Sequence, residues 1–214
     1  MKNIVIIGVG GFGREIKMLI DQINENKPSF NILGFYDDAV GLKKVYNGIK
    51  YLGTLNKLNQ VKQETAVAIG IGDPKTKVKI KERLSNKNLT FPSLIHPSVL
   101  IGSDEVNIGE GTIICSGVII TCNIEIGNFV TLNLACTIGH DTIIKDYASF
   151  MPSVNISGEV VICECVYVGT GAKIINQLKI GKNTIVGAGA VVSKTLPENC
   201  TAVGIPAKPI KFHS

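Results

Sequence analysis

The sequence predicts a chain in two parts, a small Rossmann-like α/β unit over residues 1–92 and a parallel β-helix over residues 93–214. Two observations predict the second part. From Ile108 to Val192 an aliphatic residue, once replaced by Phe150, recurs at every sixth position for fifteen consecutive repeats. Four residues after each of these stands a second small or aliphatic residue, among them Val118, Cys136, Ala148, Val154, Val166 and Ala190. A third observation predicts the first part: "NIVIIGVGGFGREIKMLIDQI" reads as an apolar strand, a Gly8-x-Gly10-x-x-Gly13 loop and an amphipathic helix.

Taken in chain order, the helix after the glycine loop is followed by "FNILGFYDD", a strand that ends in Asp37 and Asp38. This is a βαβ pattern. Glycines allow the backbone to approach a phosphate at a helix N-terminus, and an acidic pair beyond the second strand can accept hydrogen bonds from ribose or base. Another strand, "TAVAIGIGD", leads into a helix that starts near Pro74, and "NLTFPSLIHPSV" is the passage into the first coil. A unit this short lacks the larger doubly wound sheet of a full dinucleotide domain, so a mononucleotide or nucleotide-sugar suits it better than NAD. Residues 1–92 carry 15 Lys+Arg against 8 Asp+Glu, and residues 93–214 carry 7 against 9, so the net charge of +5 is concentrated in the first part. The run "DPKTKVKIKERL" reads as a solvated helix. Aromatic residues are sparse and do not alternate with basic ones, which argues against a nucleic-acid surface.

A six-residue period fits neither an amphipathic helix nor a hairpin, but it fits a coil of three short strands whose repeating residues point inward. Residues 18 apart then stack at roughly 4.8 Å. The Gly, Asn or Asp that commonly follows an inward residue, as in "IGEG", "IGNF" and "IGKN", is expected to serve the tight or positive-φ geometry of the corners. In "TIGHDT", His140 is two residues beyond the inward Ile138 and is expected to point outward from a corner, with Asp141 beside it. Imidazole is the side chain best matched to proton abstraction near neutral pH, and a carboxylate can fix its tautomer. Gly158, eighteen residues on, is expected one coil above His140, with its N–H available to a developing oxyanion. Six cysteines form no CxxC pair and no zinc-ligand cluster, so free thiols and no metal are expected. With no secretory signal and no long apolar run, the expected location is the cytoplasm.

The hexads, together with the ending "VGAGAVVSKTLPENCTAVGIPAKPIK", resemble the left-handed β-helix acyltransferases. That resemblance implies a left-handed coil, a homotrimer, and acetyl-CoA in the groove between neighbouring prisms. The whole pattern, a short glycine-rich βαβ unit followed by this β-helix with its "GHD", resembles the bacterial sugar acetyltransferases of the sialic-acid O-acetyltransferase and UDP-4-amino-sugar N-acetyltransferase type. The resemblance implies His140 as general base with Asp141 as its partner and Asn133 nearby. It implies Gly158 at the acetyl carbonyl, with Thr170 and Ala188 giving backbone contacts to the CoA arm. Gly10, Gly11, Phe12, Asp37, Asp38 and Gly72 would hold the nucleotide-sugar. Ser149 stands where some members carry a second histidine, and Phe12 where relatives often carry one. Lys208, in "GIPAKPIK", is a cation suited to a CoA phosphate. His96 is expected to be an entry residue of the first coil, and His213 to lie at a frayed end. The implied activity is acetyl-CoA-dependent N-acetylation of a nucleotide-linked amino sugar without a metal. The alternatives are O-acetylation of sialic acid or a surface glycan, and a trimer that binds a nucleotide-sugar without catalysis.

Overall fold

A computed structural model describes residues 1–213. The first part is built from β1 (Lys2–Ile7), α1 (Gly11–Asn26), β2 (Phe30–Tyr36), β3 (Val45–Tyr46), β4 (Ile49–Gly53), α2 (Leu55–Leu58), β5 (Thr65–Ile69), α3 (Pro74–Arg83) and β6 (Leu89–Thr90). The strands form one sheet in the order β3-β4-β2-β1-β5-β6, parallel except for the β3–β4 hairpin. Because side chains alternate along a strand, β1 feeds two cores. Ile4 and Ile6 pack with Ile16, Leu19 and Ile20 of α1, whereas Val5 and Ile7 pack with Leu55, Leu58 and Ile80 from α2 and α3. The glycine loop is held by close backbone approach. Gly8 has φ +101°, a Cβ on Gly13 would strike the Gly8 carbonyl, and one on Gly70 would stand 2.6 Å from the Gly13 Cα. The hairpin of β3 and β4 carried no signal in the hydrophobic pattern.

The second part is a parallel β-solenoid of three sheets, consistent with the coil that the resemblance implies. Strands of the first face run from Leu94–Ile95 to Ile185–Val186, those of the second from Leu100–Ile101 to Val191–Val192, and those of the third from Val106–Ile108 to Lys179–Ile180. After the first coil, whose Leu94–Ile95 and Leu100–Ile101 pair nineteen residues on, each pairs with the strand eighteen residues away, as in Ile114↔Leu132, Leu132↔Phe150 and Phe150↔Val168. The repeating residues form a continuous buried column. Burying each such side chain stabilises by roughly 1.5–3 kcal/mol.

The corners differ from expectation in one respect. A left-handed φ recurs every six residues from Glu105 to Gly189, but it falls three residues after the inward residue, not one. Glycine is not required there: Phe129 (φ 55°), Asp141 (φ 57°) and Tyr147 (φ 62°) all adopt it. The glycine that directly follows an inward residue serves stacking instead. A Cβ on Gly139 would stand 2.6 Å from the Gly158 nitrogen, and one on Gly169 2.5 Å from the Ala188 nitrogen.

The two parts dock along the first face. Its outward Leu94 and Ile113 join the α1 core, and the corner residues Phe129 and Tyr147 join the α3 core, where their rings stack at 5.3 Å. The helix read as solvated has one face that is not. Lys77 of α3 is 1% exposed, and its ammonium donates to the carbonyls of Phe129 (2.6 Å) and Ala148 (3.4 Å) and to Thr131 Oγ1 (3.2 Å). No carboxylate hydrogen-bonds to it among the described residues, and burial brings its pKa down from 10.5 to about 7. The unfolded chain therefore holds a proton that the folded chain releases between those values. Stability is fully present above the ordinary lysine range and is lost as pH falls towards 7. Between pH 7 and 8.5, the unfolding free energy of the native chain from urea titrations should rise by on the order of 1–2 kcal/mol from this group. Lys77→Met should flatten that rise; equal slopes in the two proteins would show that Lys77 releases no proton on folding.

At the C-terminal end, Cys200–Gly204 and Ala207–Phe212 form an antiparallel hairpin that extends the first face. The hairpin carries His213 with it. The His213 N–H donates to the Asn199 carbonyl at 2.7 Å and its Nε2 meets Thr201 Oγ1 at 2.9 Å, so His213 itself is held in place.

Candidate active site

The corner between the second and third faces holds His140 and Asp141. Neighbouring residues of an extended strand point to opposite sides, but the left-handed φ of Asp141 turns its side chain back beside the imidazole. His140 Nδ1 lies 2.8 Å from Asp141 Oδ2. A carboxylate only accepts, so Nδ1 carries the proton of the neutral ring, and in that form the lone pair is on Nε2. The hydrogen bond from His140, then that from Asn123, holds the Asp141 carboxyl below its ordinary value. With its side chain 57% exposed, the imidazole faces outward.

Gly158 lies one coil above. A Cβ there would stand 2.5 Å from both Cε1 and Nε2 of His140, so the ring occupies the space that a side chain would fill. The Gly158 carbonyl accepts from the Gln177 N–H at 3.1 Å, whereas among the described residues its own N–H takes no part in the coil's backbone hydrogen bonds. The ring of His140 thus lies against a residue whose N–H has no partner in the coil.

Thr170 and Ala188 stack at a different corner, between the first and second faces, eighteen residues apart. The Thr170 carbonyl accepts from the Gly189 N–H at 2.8 Å, and the flanking Gly171 and Gly189 face open space. Asn133 enters the same side, buried, with its Oδ1 accepting from the Leu134 N–H at 2.7 Å. Ser149 is on the outward side of the first face, in register with Thr131 and Tyr167; it is 0% exposed and its Oγ has no partner. Within one chain it does not meet His140. Lys208 is exposed on the terminal hairpin. His96, at the first coil, caps its own turn through Ser98.

In the α/β unit, Gly10 and Gly11 have nothing within 4 Å of where a Cβ would sit. Gly10 caps α1 with no side-chain hydrogen bond, which leaves the first N–H groups of the helix free for an anion. Phe12 packs partly against the α1 core. Asp37 already accepts from the N–H groups of Val9 (3.0 Å) and Ala39 (2.9 Å). Asp38 accepts from the Leu55 N–H at 2.9 Å and pairs with Arg83 at 2.6 Å. Together they border a cavity of about 210 Å³ that also reaches Gly8, Ile71 and Thr76. Arg83 carried no signal in the sequence, because nothing in a basic helix distinguishes the one residue that reaches back to the end of β2. Gly72 lies near Met151, whose Cε would be 3.6 Å from a Cβ on it, so this side of the α/β unit borders the corner of the first and second faces.

The described residues contain no cluster of three or more metal-ligating side chains, and no helix is long and apolar enough to cross a membrane. All six cysteines are free; burial pushes the Cys115 thiol up to about 12 and Cys136 up to about 11, so neither offers a nucleophile near neutral pH.

Over 213 residues the chain is 35% identical to the GDP-perosamine N-acetyltransferase of Escherichia coli O157:H7, covering 96% of this chain and 95% of that one. The chain belongs to the β-helical sugar acetyltransferases. Residues 3–84 of this acetyltransferase match the family model of the PglD N-terminal domain. Its fold superposes on PerB from Caulobacter crescentus, crystallised with CoA and GDP-perosamine, with a TM-score of 0.87 at 27% identity, over 99% of this chain and 98% of that one. The acetyltransferase domain of PglB from Neisseria gonorrhoeae FA1090, in complex with acetyl coenzyme A, superposes with a TM-score of 0.80 at 27% identity, over 98% and 99%. The sugar acetyltransferase thus carries an imidazole paired with a carboxylate on the corner of its β-solenoid.

Proposed function

We propose that the protein transfers the acetyl group of acetyl-CoA to the amine of a nucleotide-linked amino sugar, with a GDP-sugar as the first candidate. The observation that carries this reading is the His140 Nε2 lone pair, fixed by Asp141, next to the unpaired Gly158 N–H. As the amine attacks the thioester carbonyl, a C–N bond forms and His140 takes the proton. The carbonyl oxygen gains charge, and the Gly158 N–H donates to it. Collapse breaks the C–S bond, and the imidazolium returns the proton to the departing thiolate. No covalent enzyme intermediate is required.

On this reading the coil is left-handed, the chain is a homotrimer and each site lies between two chains. The second face separates the His140 corner from the corner of Thr170, Ala188 and Gly72 within one chain. A neighbouring prism laid along that face brings the two corners opposite each other, which supports a shared site. Asn133, Thr170, Ala188 and Lys208 are then residues of the acetyl-CoA side, whereas Ser149, expected there from the sequence, is fully covered on the first face and has no surface to offer the ligand. Gly10, Gly11, Phe12, Asp37, Asp38 and Gly72 are those of the nucleotide side, with the phosphates at the free N-terminus of α1.

Thiol release from acetyl-CoA, measured against GDP-, UDP- and dTDP-linked amino sugars and free sialic acid, tests the proposal. Release with a GDP-linked amino sugar is the expected result. Release with sialic acid alone would replace it with O-acetylation, and binding of a nucleotide-sugar without release would replace it with a non-catalytic role. Light scattering should give the mass of three chains; the mass of one would remove the shared site.

A further inference from the structure

The repeat that stacks His140 beneath Gly158 also stacks a second pair. Asn123 lies eighteen residues before Asp141, one coil below it at the same corner, and shares its left-handed backbone (φ 54° and 57°). Its Nδ2 donates to Asp141 Oδ1 at 3.1 Å, while Asp141 Oδ2 faces His140 Nδ1 at 2.8 Å. The backbone ties the two coils as well, because the Asp141 N–H donates to the Cys122 carbonyl at 3.1 Å. A carboxylate exposed at a corner is free to rotate about its terminal bond, and apart from the half-turn that exchanges its equivalent oxygens only a narrow range of orientations presents an oxygen to Nδ1. Asn123 holds one oxygen and thereby aims the other.

We propose that Asn123 is a positioning residue for the acetyl transfer, which keeps the imidazole of His140 in its Nδ1–H form through Asp141. This rests on the reading of His140 as base. An imidazole in the Nε2–H form has no lone pair at the atom beside Gly158 and cannot accept the amine proton there. The same corner one coil higher carries Gln177 donating to Glu159 at 3.1 Å, an amide-to-carboxylate pair of the same kind, but with no histidine beside it. Only at Asn123 does the ladder end on a base.

The left-handed backbone decides which substitution reads this cleanly. Alanine at φ 54° adds backbone strain of its own, whereas glycine and aspartate tolerate that conformation. Asn123→Gly removes the amide without disturbing the corner, and Asn123→Asp keeps its shape but sets a carboxylate against Asp141. With acetyl-CoA and the amino sugar turned over by the native enzyme, Asn123→Gly should lower kcat by roughly 3–10-fold with KM for both substrates little changed. Asn123→Asp should lower it further. Independently of any acceptor, the ¹⁵N shifts of the His140 ring in the full chain should show the Nδ1–H form dominant in the native protein and diminished in both variants. An unchanged tautomer in Asn123→Gly would overturn the proposal whatever the rates do. His140→Ala, run alongside, separates the two levels. If it abolishes turnover while Asn123→Gly keeps both kcat and tautomer, only the role of Asn123 falls. If it retains full turnover, His140 is not the base, and the inference falls with it.

Discussion

Replacing His140 with alanine should lower turnover by roughly 10²–10⁴-fold, the range expected for the loss of a positioned general base. Binding of acetyl-CoA should survive, because the residues assigned to the CoA arm, Thr170 and Ala188, sit at another corner of the prism. The size of the effect follows from the attack itself. A neutral amine that adds to a thioester carries a surplus proton as soon as the C–N bond forms. Without a base, that proton must leave to water from a partly closed site. Of the three histidines, only His140 combines exposure with a carboxylate on Nδ1: His96 binds Ser98 and His213 binds Thr201. Steady-state rates with the reactive acceptor, set beside an isothermal titration with CoA, check both halves of the expectation. Unchanged turnover would mean that the acceptor loses its proton elsewhere. Lost CoA binding would mean that His140 holds the thioester rather than activating the amine.

Most of this architecture was legible because the hexad is a geometric statement. A period of six with an inward aliphatic residue leaves no other solution, and it places His140 on a corner and Gly158 above it. What was not legible depends on contacts that the period does not encode. The repeat locates a corner but not the residue that bends there, so the glycines after the inward residues were assigned to positive φ when they actually make room for the next coil, and Phe129, Asp141 and Tyr147 take the bend. Hydropathy scored Lys77 as a surface residue. Its burial depends on the α/β unit docking on the first face, where the Phe129 carbonyl takes its ammonium at 2.6 Å. The same docking covers Ser149, and no one-dimensional signal marks a serine as facing another domain. Asn123 was passed over for a related reason. It stands seventeen residues before His140, and its meaning appears only when the register sets it under Asp141.

Gly158→Ala should lower turnover by about 10²-fold, the cost of moving a reacting group by an ångström or so, while stability changes by no more than about 0.5 kcal/mol. The two halves of that expectation have separate causes. Gly158 does not adopt a left-handed backbone, so alanine meets no conformational penalty there. The new methyl would meet the His140 ring at 2.5 Å from Cε1 and Nε2 and 2.9 Å from Cδ2, closer than two carbon atoms can stand. The ring is the free end of a side chain on an exposed corner, so it yields by rotating, and the fold pays almost nothing. Rotation, however, breaks the alignment with Asp141 and draws Nε2 away from the N–H proposed to receive the oxyanion. That N–H is retained in alanine, so the substitution keeps base, partner and donor and changes only their geometry. A thermal melt equal to the native one, with turnover nearly as low as in His140→Ala, would show that placement of the imidazole carries most of the rate. Full turnover in Gly158→Ala would instead mean that the productive ring position is not the one against Gly158, and that the donor to the oxyanion must be sought at another backbone N–H.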